Sequence, residues 1–425
     1  MDNSEIEPFS NKLKENKFNF ETSRAWLFYD MGSSAYALSV GTLFFPLYFN
    51  EFAGHGNAQP SHFAIAVLLS TLLVGITAPI LGAYADLKIK RNILFIITGL
   101  ISVIGTALLP LTSEVPVWAA ILIYAVVNTT FLLATNLYDS FLSLYGAQDK
   151  NYVRRSGLGW ALGYLGGLIC LVVILALLGF RVPSAQNDYW IVFVVSAAMY
   201  GAFSVYVFSK LPAEKEAPLI PRSTISAVIN TIKGLKENRL FFSYLIGSIL
   251  IVDGMTTVLY FMSIYASERL QFTTGQITLI FVIVQGVAIP GTWLLPLLVR
   301  FIKEVYLVVI TCLGWMFLTA LFALGPSYTG MLWIAAIGGL VVGSTPALLR
   351  AILGQLVAPE NRAELFGFAA LANRVGAIIG PLIYLITLRN FGITAAMFSS
   401  VPALFLGAII FLIIGKKLPS EQNLK

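Results

Sequence analysis

Several ionisable side chains stand inside long apolar runs, and their types limit the chemistry this chain can do. Asp253 lies near the centre of SILIVDGMTTVLYF, within an apolar run from Leu240 to Ala266. A charge at mid-bilayer costs about 2.5 to 3.5 kcal/mol on the lenient insertion scale, so something must compensate it. At helical spacing Asp253 shares a face with Thr256, Thr257 and Tyr260, one polar stripe on an otherwise apolar element. Such a stripe faces a cavity or a partner, and the partner expected from depth alone is Arg374. Two readings stand side by side. One is a structural ion pair between two helices. The other is a coupling carboxylate that binds a proton in one state and releases it in another, as desolvation permits. Sodium is a variant of the second, with Thr256, Thr257 and a backbone carbonyl near Gly254 as further oxygen ligands. The planar fork of Arg374 matches a substrate carboxylate in a way lysine cannot.

A second polar stripe carries Asn128, Thr135, Asn136 and Asp139 at helical spacing and forms a polar wall in the first half of the chain. Candidate substrate-binding residues are therefore Asn128, Asn136, Asp253, Thr257, Tyr260 and Arg374, with Asp253 the candidate coupling group. Asp30 begins Asp-Met-Gly-Ser-Ser shortly inside the first apolar run, where capping and gating are both open to it. Arg350 sits toward the end of its run, where its long side chain is expected to reach water. The two histidines, His55 and His62, flank one short loop without an accompanying acid, base or nucleophile, so no catalytic site, cofactor or metal is expected. Cys170 and Cys312 both lie in apolar runs and supply no disulfide framework. The phosphate-cradling GxxxxGK[ST] pattern is absent, so any uphill work must draw on a gradient.

The elements that position these residues follow from composition. Of 425 residues, 58% are hydrophobic and only 11% charged, with a mean hydropathy of +0.83. That is too little charge to cover a water-facing globule of this size, so the lipid bilayer is the solvent. The net charge of +6 comes from basic residues in short loops, with no basic face to suggest nucleic acid. Twelve runs are long enough to cross about 30 Å of hydrocarbon as helices. Their approximate bounds are 26–50, 62–85, 92–111, 117–144, 156–180, 189–209, 240–266, 276–299, 304–324, 331–357, 365–388 and 392–415. Outside the spans, only Arg181, Arg269 and Arg389 lie on the side away from the termini, which predicts both termini in the cytoplasm. The expected organisation is an N-terminal tail 1–25, a six-helix bundle 26–209, a cytoplasmic linker 210–239, a second bundle 240–415 and a tail 416–425. The expected fold is all-α, with no alternating period that would indicate a barrel.

Two traces of an internal repeat accompany that division. Asp30-Met-Gly-Ser-Ser in span 1 resembles Asp253-Gly-Met-Thr-Thr in span 7, and a shift of 210 residues superposes Thr135 on Thr345, Gly157 on Gly367 and Gly166 on Gly376. Gly159, Gly163 and Gly167 in span 5, and Ala372, Gly376 and Gly380 in span 11, are small residues spaced by four that let another helix approach closely. Packing accounts for them; the alternative reading is that they are sliding faces between the halves.

The loop GAYADLKIKRN places Gly82, Asp86, Lys90 and Arg91 as in the loop signature of the major facilitator superfamily, with Ile89 where that signature has glycine. The loop after span 8, LVRFIKEVY, lacks the aspartate. RAWLFYDMGSSAY, SGLGWALGYLGG, VDGMTT and ENRAELFGFAALANRVGAIIGPL together resemble the vacuole-effluxer-like branch, which includes autophagy-related amino-acid effluxers of fungal vacuoles and bacterial members. The resemblance spans most of residues 24 to 388. It implies a monomeric, multi-pass secondary transporter of the major facilitator fold, working by alternating access on a small-molecule solute, with amino acids the implied class. Protons or sodium would be the coupling ion, and a bacterial cytoplasmic membrane the location. It also implies gating roles for Gly82, Asp86, Lys90 and Arg91, while position toward the cytoplasmic end adds Asp139 to the gating candidates and leaves Asp30 between capping and gating. An exporter of lipophilic compounds or lysolipids, or a non-transporting receptor with a carrier fold, remain the alternatives.

Overall fold

In a bilayer every backbone N–H and C=O must be satisfied within the protein, so apolar runs of this length become helices. The computed structural model describes residues 20–58, 60–88, 91–149, 151–211, 238–357 and 362–417, with isolated positions between 226 and 234. Their helices are α1 (Phe20–Ala35), α2 (Phe45–Phe52), α3 (Pro60–Lys88), α4 (Arg91–Leu108), α5 (Val117–Asp149), α6 (Tyr152–Leu177) and α7 (Gln186–Ser209). The second half adds α8 (Arg239–Glu268), α9 (Thr274–Trp293), α10 (Leu295–Leu298), α11 (Glu304–Ala323), α12 (Tyr328–Leu356), α13 (Arg362–Phe391), α14 (Ile393–Met397) and α15 (Val401–Gly415). Ten helical segments among the described residues are long and apolar enough to cross a membrane. Two further rods are α13 and the continuous run α1–α2, whose middle, Tyr36–Phe44, is π-helical. Most of the expected linker 210–239, the first part of the N-terminal tail and most of the C-terminal tail lie outside the described residues.

Local chemistry sets several helix ends. Asn238 caps α8 by accepting the Phe241 N–H at 3.1 Å, and Thr273 with Gln276 forms a reciprocal capping box at the start of α9. Gly392, at φ +84° and ψ 172°, takes an extended positive-φ conformation open essentially to glycine and separates α13 from α14.

Within the first half α1 packs on α6 and α7, and α4 on α5 and α7. In the second half α8 packs on α13 and α15, and α9 on α12. The two halves meet through α3 on α13, α6 on α9 and α12, and α5 on α12 and α13. The end of the helices bearing the connections 89–90, 150–151, 299–303 and 357–361 is called the basic end below. Hydrogen bonds between the halves run from the basic end, where Glu364 N–H donates to Asp86, to mid-depth, where Tyr164 donates to the Val342 carbonyl.

The glycines report two kinds of contact. A Cβ on Gly166 would sit 2.4 Å from the Met31 carbonyl oxygen, and one on Gly376 would sit 2.5 Å from that of Ile249. Gly163 and Gly167 of the α6 stripe meet Ser34 and Leu38, and Gly376 and Gly380 of the α13 stripe meet Ile249, Asp253 and Thr257, so these positions pack inside each half; of the α6 stripe Gly159 also faces the other half, at Arg350. The faces between halves are marked by Gly157 on the Thr292 carbonyl, Gly367 on that of Ala78 and Gly82 on that of Ala363. Under the 210-residue shift, Gly157 and Gly367 are both seam residues, while Gly166 and Gly376 are both internal, so that repeat has a structural counterpart. The other trace does not. Gly166 and Gly376 set Met31 opposite Ile249, which places Asp30 about a turn nearer the basic end than Asp253.

Candidate functional site

Arg350, on α12 of the second half, is buried in the first half. Its Nε donates to Ser156 Oγ at 3.0 Å, Nη1 to Asp30 Oδ1 at 3.3 Å and Asp139 Oδ1 at 2.9 Å, and Nη2 to Asp30 Oδ2 and the Ser156 carbonyl, both at 3.0 Å. Those bonds use all five N–H donors of a guanidinium. The rings of Trp26, Tyr138 and Trp160 stand 5.6 to 5.7 Å from the guanidinium carbon. Tyr138 donates its hydroxyl to Asp30 Oδ2 at 2.7 Å, and Trp26 donates its indole N–H to the Tyr138 carbonyl at 3.1 Å. The close approach depends on Gly159: a Cβ there would meet Asp30 Oδ2 at 2.2 Å and Arg350 Nη2 at 2.7 Å. The expectation that Arg350 reaches water is overturned, because the first half supplies the polar partners that water would otherwise provide.

A second contact between halves lies at the basic end. Asp86 pairs with Arg91 through one carboxylate oxygen and accepts the Glu364 N–H, in the first turn of α13, at 2.9 Å through the other. Negative charge at a helix N-terminus is favourable, since the first N–H groups have no intrahelical partner. Gly82 lies one turn away against the Ala363 backbone. Lys90, the remaining basic residue of that loop signature, lies outside the described residues.

Nearer mid-depth, Asn128 joins three segments of the first half. Its amide donates to Ser70 Oγ at 2.8 Å on α3 and accepts from the Tyr36 hydroxyl at 3.3 Å. Asn136 is buried on the same helix as Asn128. In the second half Asp253 is buried where α8 crosses α13, against Gly380, and its Oδ1 accepts no hydrogen bond among the described residues. Thr257 is buried beside it with its hydroxyl donated to the Asp253 carbonyl at 2.8 Å. Tyr260 lies on α8 with its side chain outside the described set.

The expected pairing of Asp253 with Arg374 is corrected: no ion pair joins them among the described residues, and Asp253 meets Gly376 and Gly380 instead. The two residues match in depth but not in azimuth, since two positions along a helix turn the side chain by about 200°. Arg374 shares its face with Gly367 and Leu371, which lie against Ala78 and Gly75 of α3. It thus stands one turn past the close contact of α3 with α13.

The fold is that of the major facilitator superfamily. The chain aligns with the proton:xylose symporter XylE bound to 6-bromo-6-deoxy-D-glucose at a TM-score of 0.69 and 14% identity, over 94% of this chain and 96% of that one. It aligns equally, at a TM-score of 0.69 and 12% identity, with FucP in the outward conformation, over 93% of this chain and 99% of the other. The same score and identity relate it to a bacterial ferroportin homologue in an outward-facing state, over 94% and 100%. The chain belongs to the vacuole effluxer Atg22-like family, whose model matches residues 57–417. A relative from Bacillus subtilis (strain 168), an uncharacterized MFS-type transporter, YxiO, is 26% identical over 94% of this chain and 96% of its own length. The protein is a multi-pass membrane transporter of this superfamily and not an enzyme.

Proposed function

We propose that this protein moves a small polar solute bearing a carboxylate, of the amino-acid class, across a bacterial cytoplasmic membrane by alternating access coupled to protons. In this reading twelve spans form two six-helix bundles, 26–209 and 240–415, joined by the linker 210–239, with both termini and the basic end in the cytoplasm. The chain is then sealed on the cytoplasmic side and faces outward. Arg374, just past the seal, offers its guanidinium to the substrate carboxylate, and Asn128 and Asn136 supply polar partners from the opposite wall.

The observation that carries the coupling is the Asp253 carboxylate, buried with one oxygen unpartnered against Gly380. An unpartnered buried carboxylate oxygen is costly, and a bound proton would supply the partner it lacks. Rearrangement of α8 against α13 would expose it and release the proton, linking the two fluxes. The test is Asp253→Asn in liposomes, comparing pH-driven accumulation of labelled amino acids with exchange at equal concentrations. Lost accumulation with preserved exchange supports the coupling role, whereas unchanged pH-driven accumulation refutes it.

A further inference from the structure

The acceptors around Arg350 all belong to the first half, and so do the rings. Asp30 and Trp26 come from α1, Tyr138 and Asp139 from α5, and Ser156 and Trp160 from α6, while the guanidinium alone comes from the second half. We infer that these first-half residues form a binding site for the cationic head of a small organic solute, guanidinium or ammonium, which Arg350 occupies while the basic end is closed.

The inference rests on the alternating-access reading in one respect: the halves must part at the basic end for the site to empty. Two physical consequences of parting then matter. Withdrawal of Arg350 leaves two carboxylates, Asp30 and Asp139, without the cation that both accept from. Water reaches the parted site, yet two neighbouring carboxylates backed by aromatic rings repel each other and favour a replacement cation or a proton in place of the guanidinium. The three rings select among replacements, because an aromatic face attracts an organic cation whose own hydration is weak. The acceptor set is also shaped for a planar donor fork: Asp30 takes Nη1 and Nη2 together, and the Ser156 hydroxyl and carbonyl take Nε and Nη2. Internal contacts hold several of these groups before any ligand arrives. Tyr138 bonds Asp30, Trp26 bonds the Tyr138 backbone, and the rings of Trp26 and Tyr138 stack with centroids 4.6 Å apart.

Arg350 is thus a tethered competitor. A free cation that enters the site displaces it and favours the state open at the basic end, because it binds that state alone. This gives the solute's cationic head a role separate from that of its carboxylate, and a coupling to the seal rather than to Asp253.

Purified full-length protein answers the question without a flux measurement, so the outcome is independent of the Asp253 experiment. With Ala347→Cys as a reporter in the seam, methylguanidinium chloride should accelerate alkylation saturably, by about threefold or more, while equal concentrations of sodium chloride do not. The acceleration should vanish when Asp30→Asn and Asp139→Asn are combined with the reporter. A second measurement uses Arg350→Ala, in which the site has no tethered occupant: tryptophan emission should report saturable methylguanidinium binding that Asp30→Asn abolishes. Acceleration by salt alone, no saturable response in either protein, or a response indifferent to the two carboxylates would overturn the inference.

Discussion

Asp30 on the first helix and Arg350 near the end of α12 are 320 residues apart in sequence and joined by two hydrogen bonds, at 3.3 and 3.0 Å. No covalent or short-range feature holds them together, so their pairing reports directly on whether the basic end is closed. Removing one partner of a buried pair costs about 3 to 5 kcal/mol, because the other is left uncompensated. Arg350→Gln should therefore shift the population toward the state open at the basic end. Spin labels at the exposed positions Trp118 and Leu324, near the other end, should show a shorter mean distance in Arg350→Gln than in the parent. An unchanged distance distribution would mean that the pair does not bias the two states.

Gly82 has no room for a methyl group, since a Cβ there would meet backbone atoms of Ala363 at 2.3 and 2.6 Å. Backbone cannot swing aside as a flexible side chain can. Gly82→Ala should prevent closure of the basic end and reduce transport at least about tenfold, a population effect of about 1.4 kcal/mol or more. Gly286→Ala, with nothing within 4 Å of the added carbon, is the control and should transport normally.

Asp86 links Arg91 to the N-terminus of α13, and bonds of this charge-assisted kind contribute about 1.5 to 3 kcal/mol. Asp86→Asn should weaken the same closed state, so a cysteine at Ala363 should be alkylated about tenfold faster or more. Equal alkylation rates in parent and variant would exclude this link from the seal.

Gly380 and Thr257 should behave as a coupled pair. A Cβ on Gly380 would lie 2.0 Å from Thr257 Oγ1 and 2.7 Å from Asp253 Oδ1. Gly380→Ala alone should lower the melting temperature of the purified protein, and adding Thr257→Ala should restore part of the loss. Two changes at contacting positions deviate from additivity by about 0.5 to 3 kcal/mol, whereas additive losses would mean the helices relax apart.

The residues that proved hardest to place from sequence were the two arginines within apolar runs. The all-helical character, the positions of the ten long apolar helices and the pairing of Gly157 with Gly367 are legible in the sequence, because helical period and small-residue spacing are local signals. Arg350 near the end of a run reads as a side chain reaching for water, and nothing local reveals partners at Asp30, Asp139 and Ser156. A signal was nevertheless present: two carboxylates on one helical level of the first half needed a cation, and Arg350 was at the same level of the second. Arg374 failed for a different reason. Depth can be counted along a sequence, but the direction a helix turns toward its neighbours is fixed by packing, here by Gly376 and Gly380 against α8.

The π-helical stretch Tyr36–Phe44 separates the clamp at Asp30 from the aromatic cluster that α2 builds with Phe45, Tyr48, Tyr124, Tyr189 and Phe193. Within it Thr42 donates its hydroxyl to the Ala37 carbonyl, five residues back, at 2.8 Å. A wider turn of this kind holds one residue more than an α-helix of the same register would, and removing that residue rotates everything beyond it by about 100°. The first membrane rod thus has two arms with separate angular settings: the lower carries the Asp30 clamp, the upper the aromatic cluster, and one inserted or deleted residue suffices to change the angle between them.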